Sequence, residues 1–271
     1  MVNADTKLFA ILGCPVKHSF SPQLYNEWFR KESLNCIYFA IELNIKSFKK
    51  VFNCMRFLGF SGFNITLPYK AEVIKYLDIV DNVVKKIGSV NTVCVKNNKF
   101  YGYNTDWMGF INDLSDKNIN LKNKNILVVG AGGAARSILY ALKKLKTDKI
   151  YITNRTIKNA EKLSKVFNVG SISLQKARDL LPSIDMLINC SSCGMDLQDV
   201  LPFDVDKFEC KLIVYDLIYN KLTPFIKFAK ANKLKVFTGE GMLIRQGACN
   251  FEIWTGIYPD VEKFKKIRSF D

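Results

Sequence analysis

Asn125-Ile126-Leu127-Val128-Val129-Gly130-Ala131-Gly132-Gly133-Ala134-Ala135 decides the fold. Its first five residues form a short run rich in branched apolar side chains, which suits a strand buried on both faces. Gly130, Gly132 and Ala135 then occupy the three small positions of a G-x-G-x-x-G/A fingerprint. Gly130 permits the tight turn off the strand, Gly132 leaves room for a pyrophosphate to approach the backbone, and Ala135 lets a helix pack close to the sheet. Ile138, Leu142 and Leu145 follow at the spacing of one helix face. Ile150-Tyr151-Ile152-Thr153 reads as a second strand, ending at Asn154-Arg155-Thr156. A glycine motif alone is weak. Strand, loop, helix and strand in this order form the context that makes it a dinucleotide site, with the helix-start N–H groups facing the phosphates.

The end of the second strand bears on which nucleotide binds. An NAD site places Asp or Glu there to accept from the ribose 2′-OH. This chain has Asn154, then Arg155, Thr156 and Lys158. A guanidinium and a hydroxyl suit a 2′-phosphate, and nothing acidic repels it. A solvated basic loop is the competing account. The missing acid favours NADP.

The chain has 271 residues, enough for one large or two ordinary domains. It is 48% hydrophobic and 24% charged, the composition of a soluble globular protein. No apolar run approaches the ~20 residues of a membrane span. The polar start, Met1 to Lys7, carries no signal-peptide pattern, so the eight cysteines are expected as reduced thiols in a cytoplasm. Cys190-Ser-Ser-Cys193 is the only close pair. It follows the strand pattern Met186–Asn189 with no helix pattern directly after it, which speaks against redox chemistry. With no second close pair and a single His, no metal site is expected. The net charge of +15 raises nucleic acid as a partner. However, the lysines are spread over nearly every helix pattern and no nucleic-acid motif accompanies them, so solvated faces account for them.

The first hundred residues alternate strand and helix patterns. Strands are expected at Leu8–Leu12, Cys36–Ile41 and Gly62–Thr66, with another at the end of the stretch Ile87 to Val95. Ser21-Pro22 reads as a helix N-cap followed by Pro, with Leu24, Trp28 and Phe29 inward. Phe48, Val51, Phe52 and Met55 mark a second helix. A second alternating block runs from about Asp106 to Glu240, with strands at Met186–Asn189, Leu212–Asp216 and Val236–Thr238, and a helix capped at Thr223-Pro224. Two helices, Met242–Thr255 and Asp260–Arg268, close the chain. Such alternation implies mostly parallel sheets covered by helices on both faces.

Specific polar residues fall at the strand ends of the first block: Ser19 and Ser21, then Asn64, Thr66 and Lys70, then Asn91-Thr92, then Asn104-Thr105-Asp106. Ligands in open α/β sheets bind beyond the carboxyl ends of strands, so these loops could share a crevice for a small polyhydroxy molecule. Each also has a plain account: turn residues at Asn91 and Asn104, a cap at Ser21, a surface lysine at Lys70.

The order of the motifs resembles the shikimate dehydrogenase family over nearly the whole chain. Gly13 to Pro22 resembles the family's opening motif and Phe63 to Lys70 its catalytic-lysine motif. Gly88 to Thr92, Gly102 to Asp106, Gly130 to Ala135, Asn154 to Thr156, Asn189 to Met195, Asp216 to Tyr219 and Gly241 to Gln246 follow in family order. Two positions depart from it. Tyr69 stands where His is common, and Ser191 where Thr is common. Both keep a hydrogen-bonding group, so tuning rather than loss is expected.

The resemblance implies an α/β protein of two domains with a cleft between them. Residues 1–105 and 241–271 would form the substrate domain, with a mostly parallel sheet, and 106–240 an NADP-binding Rossmann domain. The implied reaction is NADPH-dependent reduction of 3-dehydroshikimate to shikimate. Lys70 would donate the proton and Asp106 would hold Lys70 and bind a substrate hydroxyl. Ser19 and Ser21 would bind the carboxylate with Tyr219 nearby. Thr66, Asn91 and Gln246 would bind ring hydroxyls, and Asn64 belongs to the same substrate set. Gly130, Ala131, Gly132, Gly133 and Ala134 would cradle the pyrophosphate and Asn154 to Lys158 the 2′-phosphate. The backbone at Leu217 and Gly239 would approach the nicotinamide. No metal, membrane or nucleic acid is implied, and a homodimer stays open. Two alternatives stand beside this: a dehydrogenase that also accepts quinate, and a nucleotide-responsive regulatory protein on the same fold.

Overall fold

The computed structural model describes residues 2–44, 47–194 and 211–264. The chain divides into two compact units. Among the described residues, the first is built from those up to Gly109 and from Ile244 to Phe264, the second from Phe110 to Leu243. No helix among the described residues is long and apolar enough to cross a membrane.

The first unit opens with β1 (Lys7–Gly13), α1 (Ser21–Lys31), β2 (Cys36–Glu42), α2 (Phe48–Cys54) and β3 (Phe60–Ile65). β4 (Ile79–Val80), α3 (Asn82–Ile87), β5 (Thr92–Lys96) and β6 (Lys99–Tyr103) follow. Its six strands lie in the order β2-β1-β3-β5-β6-β4. The pairs β1–β2, β1–β3 and β4–β6 are parallel, whereas β3–β5 and β5–β6 are antiparallel. The strand-helix alternation did not anticipate this β5–β6 hairpin. Its two-residue turn, Asn97-Asn98, has both residues at positive φ, the backbone that asparagine tolerates and that matches strand twist. That dipeptide was the available signal. Phe48, Phe52, Phe63, Tyr69 and Phe100 fill the core on one side of this sheet.

α4 (Asp106–Asp116) leads into the second unit. There β7 (Ile126–Val129), α5 (Gly133–Lys144), β8 (Ile150–Thr153), α6 (Ile157–Phe167), β9 (Gly170–Ser171) and α7 (Leu174–Leu180) come first. β10 (Met186–Asn189), β11 (Ile213–Asp216), α8 (Pro224–Ala231) and β12 (Lys235–Thr238) complete it, and α9 (Glu240–Thr255) returns the chain to the first unit. All strand pairs are parallel and the order is β12-β11-β10-β7-β8-β9. This is the doubly wound dinucleotide-binding topology, whose order reverses between β7 and β10. Every residue of β7 and β10 is buried, as the apolar runs Ile126–Val129 and Met186–Ile188 require with helices on both faces. Thr223 caps α8 as expected, its hydroxyl accepting from Ile226 N at 3.1 Å.

Three local expectations change. Ser21 is the first residue of α1; Phe20 occupies the N-cap and no side chain caps the helix. α9 begins at Glu240, ahead of the expected start, so Gly241 lies within its first turn. Of the expected closing helix, the described part is a short 3-10 turn at Glu262–Phe264, and residues 265–268 lie outside the described residues, as does Met195.

Candidate active site

In the first unit, β5 runs antiparallel between β3 and β6, so its start lies beside their ends. Thr92 pairs with Asn64 on one side and Tyr103 on the other. Three separate stretches of sequence thereby meet at one edge of the sheet. Lys70 follows β3 in a turn, Asn91 precedes β5, and Asp106 opens α4 after β6.

Lys70 Nζ lies 2.7 Å from Asp106 Oδ2, with the two side chains 19% and 6% exposed. Asp106 Oδ1 accepts from Asn91 Nδ2 at 3.0 Å, and Asp106 N donates to Asn104 Oδ1 at 3.1 Å. Both carboxylate oxygens are therefore engaged and the ammonium is aimed by a fixed partner. Asn91 Nδ2 also lies 3.0 Å from Gln246 Oε1 on α9. Asn64 Nδ2 donates to the Asn91 carbonyl at 3.0 Å, while Asn64 Oδ1 accepts from Tyr38 Oη at 2.7 Å. The half-buried Thr66 is pinned by its backbone, N to Leu12 O at 2.9 Å and O from Tyr69 N at 3.0 Å. Ser19 and Ser21 lie at the β1–α1 junction, where Ser21 N donates to Ser19 Oγ at 3.3 Å. Ser21 is buried and Ser19 half-buried.

Tyr69 points away from this cluster. Its ring is fully buried and stacks on Phe48 with centroids 4.0 Å apart, and its hydroxyl donates to Leu43 O. Burial pushes its phenol above the usual range. The tyrosine therefore anchors the Lys70 turn to the core.

In the second unit, Gly130 has φ +107° and its N donates to Thr153 O at 2.9 Å. A Cβ there would stand 2.8 Å from Ser191 N and 2.9 Å from Cys190 C. Only glycine satisfies both the backbone and that close approach. Gly132 differs: a Cβ would meet nothing within 4 Å. The space beside the N-terminus of α5 is therefore open, as a pyrophosphate cradle requires. Ala131, Gly133 and Ala134 border it and Ala135 is fully buried against the sheet.

At the end of β8, Asn154 Nδ2 donates to Thr156 O at 3.0 Å and shapes the loop. Thr156 is the N-cap of α6 but its hydroxyl caps nothing. Arg155, Thr156 and Lys158 are exposed, and no acidic partner to Arg155 or Lys158 is found among the described residues. Two cations and a hydroxyl with no acidic partner among the described residues suit a dianion. On the β11 side, Leu217 N donates to Asn189 O at 3.0 Å, and a Cβ on Gly239 would collide with the Leu217 carbonyl, so these two backbones touch. Tyr219 is half-buried on the same loop.

Sequence reasoning placed Asn189, Asp216 and Thr223 in motifs or at a cap but did not show that together they fix this loop. Asp216 is fully buried and accepts from Thr223 Oγ1 at 2.7 Å, Ile218 N at 3.1 Å and Asn189 Nδ2 at 3.1 Å. Burial raises its carboxyl above the usual range despite those donors. Ser191 Oγ donates to Asn189 Oδ1 at 2.6 Å, so serine keeps the loop contact a threonine would make.

Three family sequence models match the chain. The shikimate dehydrogenase substrate binding domain covers residues 11–93, shikimate / quinate 5-dehydrogenase covers 113–197, and the shikimate 5′-dehydrogenase C-terminal domain covers 239–267. The shikimate dehydrogenase (NADP(+)) of Aquifex aeolicus (strain VF5) is 40% identical over 94% of this chain and 94% of its own length. The chain belongs to the shikimate dehydrogenase family. The crystal structure of shikimate dehydrogenase from Aquifex aeolicus superposes with a TM-score of 0.94 at 38% identity, covering 99% of this chain and 100% of that one. That of shikimate 5-dehydrogenase from Thermus thermophilus in complex with NADP(H) and shikimate gives 0.86 at 35% identity, covering 95% and 97%. The shikimate dehydrogenase fold therefore extends over the whole described chain, hairpin and doubly wound sheet included.

Proposed function

We infer that this chain catalyses the reversible NADPH-dependent reduction of 3-dehydroshikimate to shikimate, in the biosynthesis of chorismate and the aromatic amino acids. The Lys70–Asp106 pair carries the reading: a buried carboxylate aims an ammonium at the edge of a sheet lined by amides and hydroxyls. NADPH supplies hydride to the ring carbonyl carbon. Charge then grows on the carbonyl oxygen, and Lys70 donates a proton to it and stabilises it beforehand. Asp106 keeps Lys70 in place and accepts from a substrate hydroxyl. In the reverse direction neutral Lys70 takes the proton from the shikimate hydroxyl. Ser19 and Ser21 bind the carboxylate, with Tyr219 adding a hydroxyl. Asn64, Thr66, Asn91 and Gln246 orient the ring hydroxyls. Gly130 to Ala134, with Leu217 and Gly239, hold the cofactor, and Asn154 to Lys158 select its 2′-phosphate. The setting we propose for this reaction is the cytoplasm.

A second reading widens the substrate range. One matching family model is named for both shikimate and quinate. Initial rates of NADP⁺ and NAD⁺ reduction with shikimate and with quinate, measured side by side, separate the two. Turnover confined to shikimate with NADP⁺ is expected. Comparable kcat/KM for quinate supports the wider range, and no turnover with either acid rejects both.

A further inference from the structure

We propose that Asn250 is a positioning residue that orients Gln246 and so sets which group meets the substrate ring; this rests on the reading of Gln246 as a substrate contact. Asn250 lies one turn after Gln246 on α9 and is fully buried. A buried amide is costly unless its groups are paired. Asn250 pairs all four. Its Nδ2 donates to Tyr25 Oη at 3.0 Å and to Gln246 Oε1 at 3.0 Å. Its Oδ1 accepts from the hydroxyls of Thr105, at 2.6 Å, and of Thr92.

One backbone group settles the orientation of the whole chain of amides. Thr105 N–H can only donate, and it points at Asn91 Oδ1 from 2.8 Å. Asn91 must then turn its nitrogen to Gln246, 3.0 Å away. The atom of Gln246 that faces it must be oxygen, and Asn250, facing that same atom, must present nitrogen. Gln246 thus holds its oxygen between two amide donors and directs its own NH₂ away from both. It meets ligand as a donor and favours an acceptor oxygen. Without Asn250, that oxygen would lose one of its two amide donors and depend more on Asn91, whose Nδ2 also faces Asp106 Oδ1 at 3.0 Å and Thr105 Oγ1 at 2.9 Å. Thr105, the neighbour of Asp106, would lose the shorter of its two hydroxyl acceptors and keep the Gln246 carbonyl at 3.1 Å.

A residue that merely fills the core would cost stability when truncated and leave KM unchanged in the folded fraction. Steady-state kinetics and thermal melts on wild type, Gln246→Ala, Asn250→Ala and the double variant distinguish the two. Asn250→Ala is expected to raise KM for shikimate roughly three- to tenfold, the worth of one hydrogen bond. KM for NADP⁺ should stay within about twofold, and the double variant should be no worse than Gln246→Ala alone, because both act through one contact. Asn250→Ser, which keeps a hydroxyl for the threonines but is too short to reach Gln246, should behave alike and covers the case in which alanine prevents folding. An unchanged KM in the Asn250 variants, or additive effects in the double variant, overturns the proposal and leaves Gln246 in its role. An unchanged KM in Gln246→Ala overturns that role and the proposal with it.

Discussion

Lys70 Nζ and Asp106 Oδ2 stand 2.7 Å apart although 36 residues separate them in the chain. Lys70→Ala should lower kcat by ~10²- to 10⁴-fold, the usual worth of a general acid, with little change in KM for shikimate. Single-turnover and steady-state rates check this. A variant with half the wild-type kcat would exclude Lys70 as the proton donor.

Ser19→Ala and Ser21→Ala should mainly raise KM for shikimate, since a carboxylate held alike in ground and transition states is uniform binding. Ser21 does not cap α1, so its variant should melt with wild type. Ser19→Ala also removes the acceptor of Ser21 N and should lose a few degrees at most. A fall in kcat at constant KM contradicts the role given to either serine.

Arg155→Ala should weaken NADP⁺ about tenfold to a hundredfold, the worth of a charge-assisted hydrogen bond, and leave NAD⁺ nearly unchanged. Asn154→Asp should shift preference further by repelling the phosphate and offering the ribose an acceptor. Lys158 and Thr156 remain, so reduced preference rather than reversal is expected. KM values for both cofactors decide it; equal increases in Arg155→Ala would make Arg155 structural.

Gly130→Ala and Gly132→Ala should separate fold from binding. Alanine at 130 meets a φ of +107° and the β10 loop and should cost about 1–3 kcal/mol of stability. Alanine at 132 meets nothing of the protein, so its melting temperature should hold while NADP⁺ affinity falls. Titration of NADP⁺ by fluorescence, beside thermal melts, reads both. Intact NADP⁺ affinity in Gly132→Ala would place the pyrophosphate elsewhere.

Tyr69→Phe removes only the hydroxyl that reaches Leu43 O. Stability should drop by about 1–2 kcal/mol in urea titration, with kcat and both KM values unchanged. A kinetic defect without a stability loss would mean that Tyr69 acts on ligand instead.

The sequence alone determined the dinucleotide unit almost to the residue. Strand, glycine loop, helix and second strand are neighbours in the chain, so period and turn chemistry encode them. The missing acid at Asn154 and the cations after it were equally local. The role proposed for Lys70 was legible only through the order of motifs, because a lysine in a turn carries no local mark. Tertiary structure decided the rest. The β5–β6 hairpin turns β5 against its neighbours and brings Asn91 to Asp106. Burial takes Tyr69 out of the site. Asn250 acquires its role from Thr92, Thr105 and Tyr25, which stand 158, 145 and 225 residues away in sequence. Hydrophobic period reports which face of an element is buried, but not which strand will lie beside which. The hydrogen bonds that shape this site depend on that second choice.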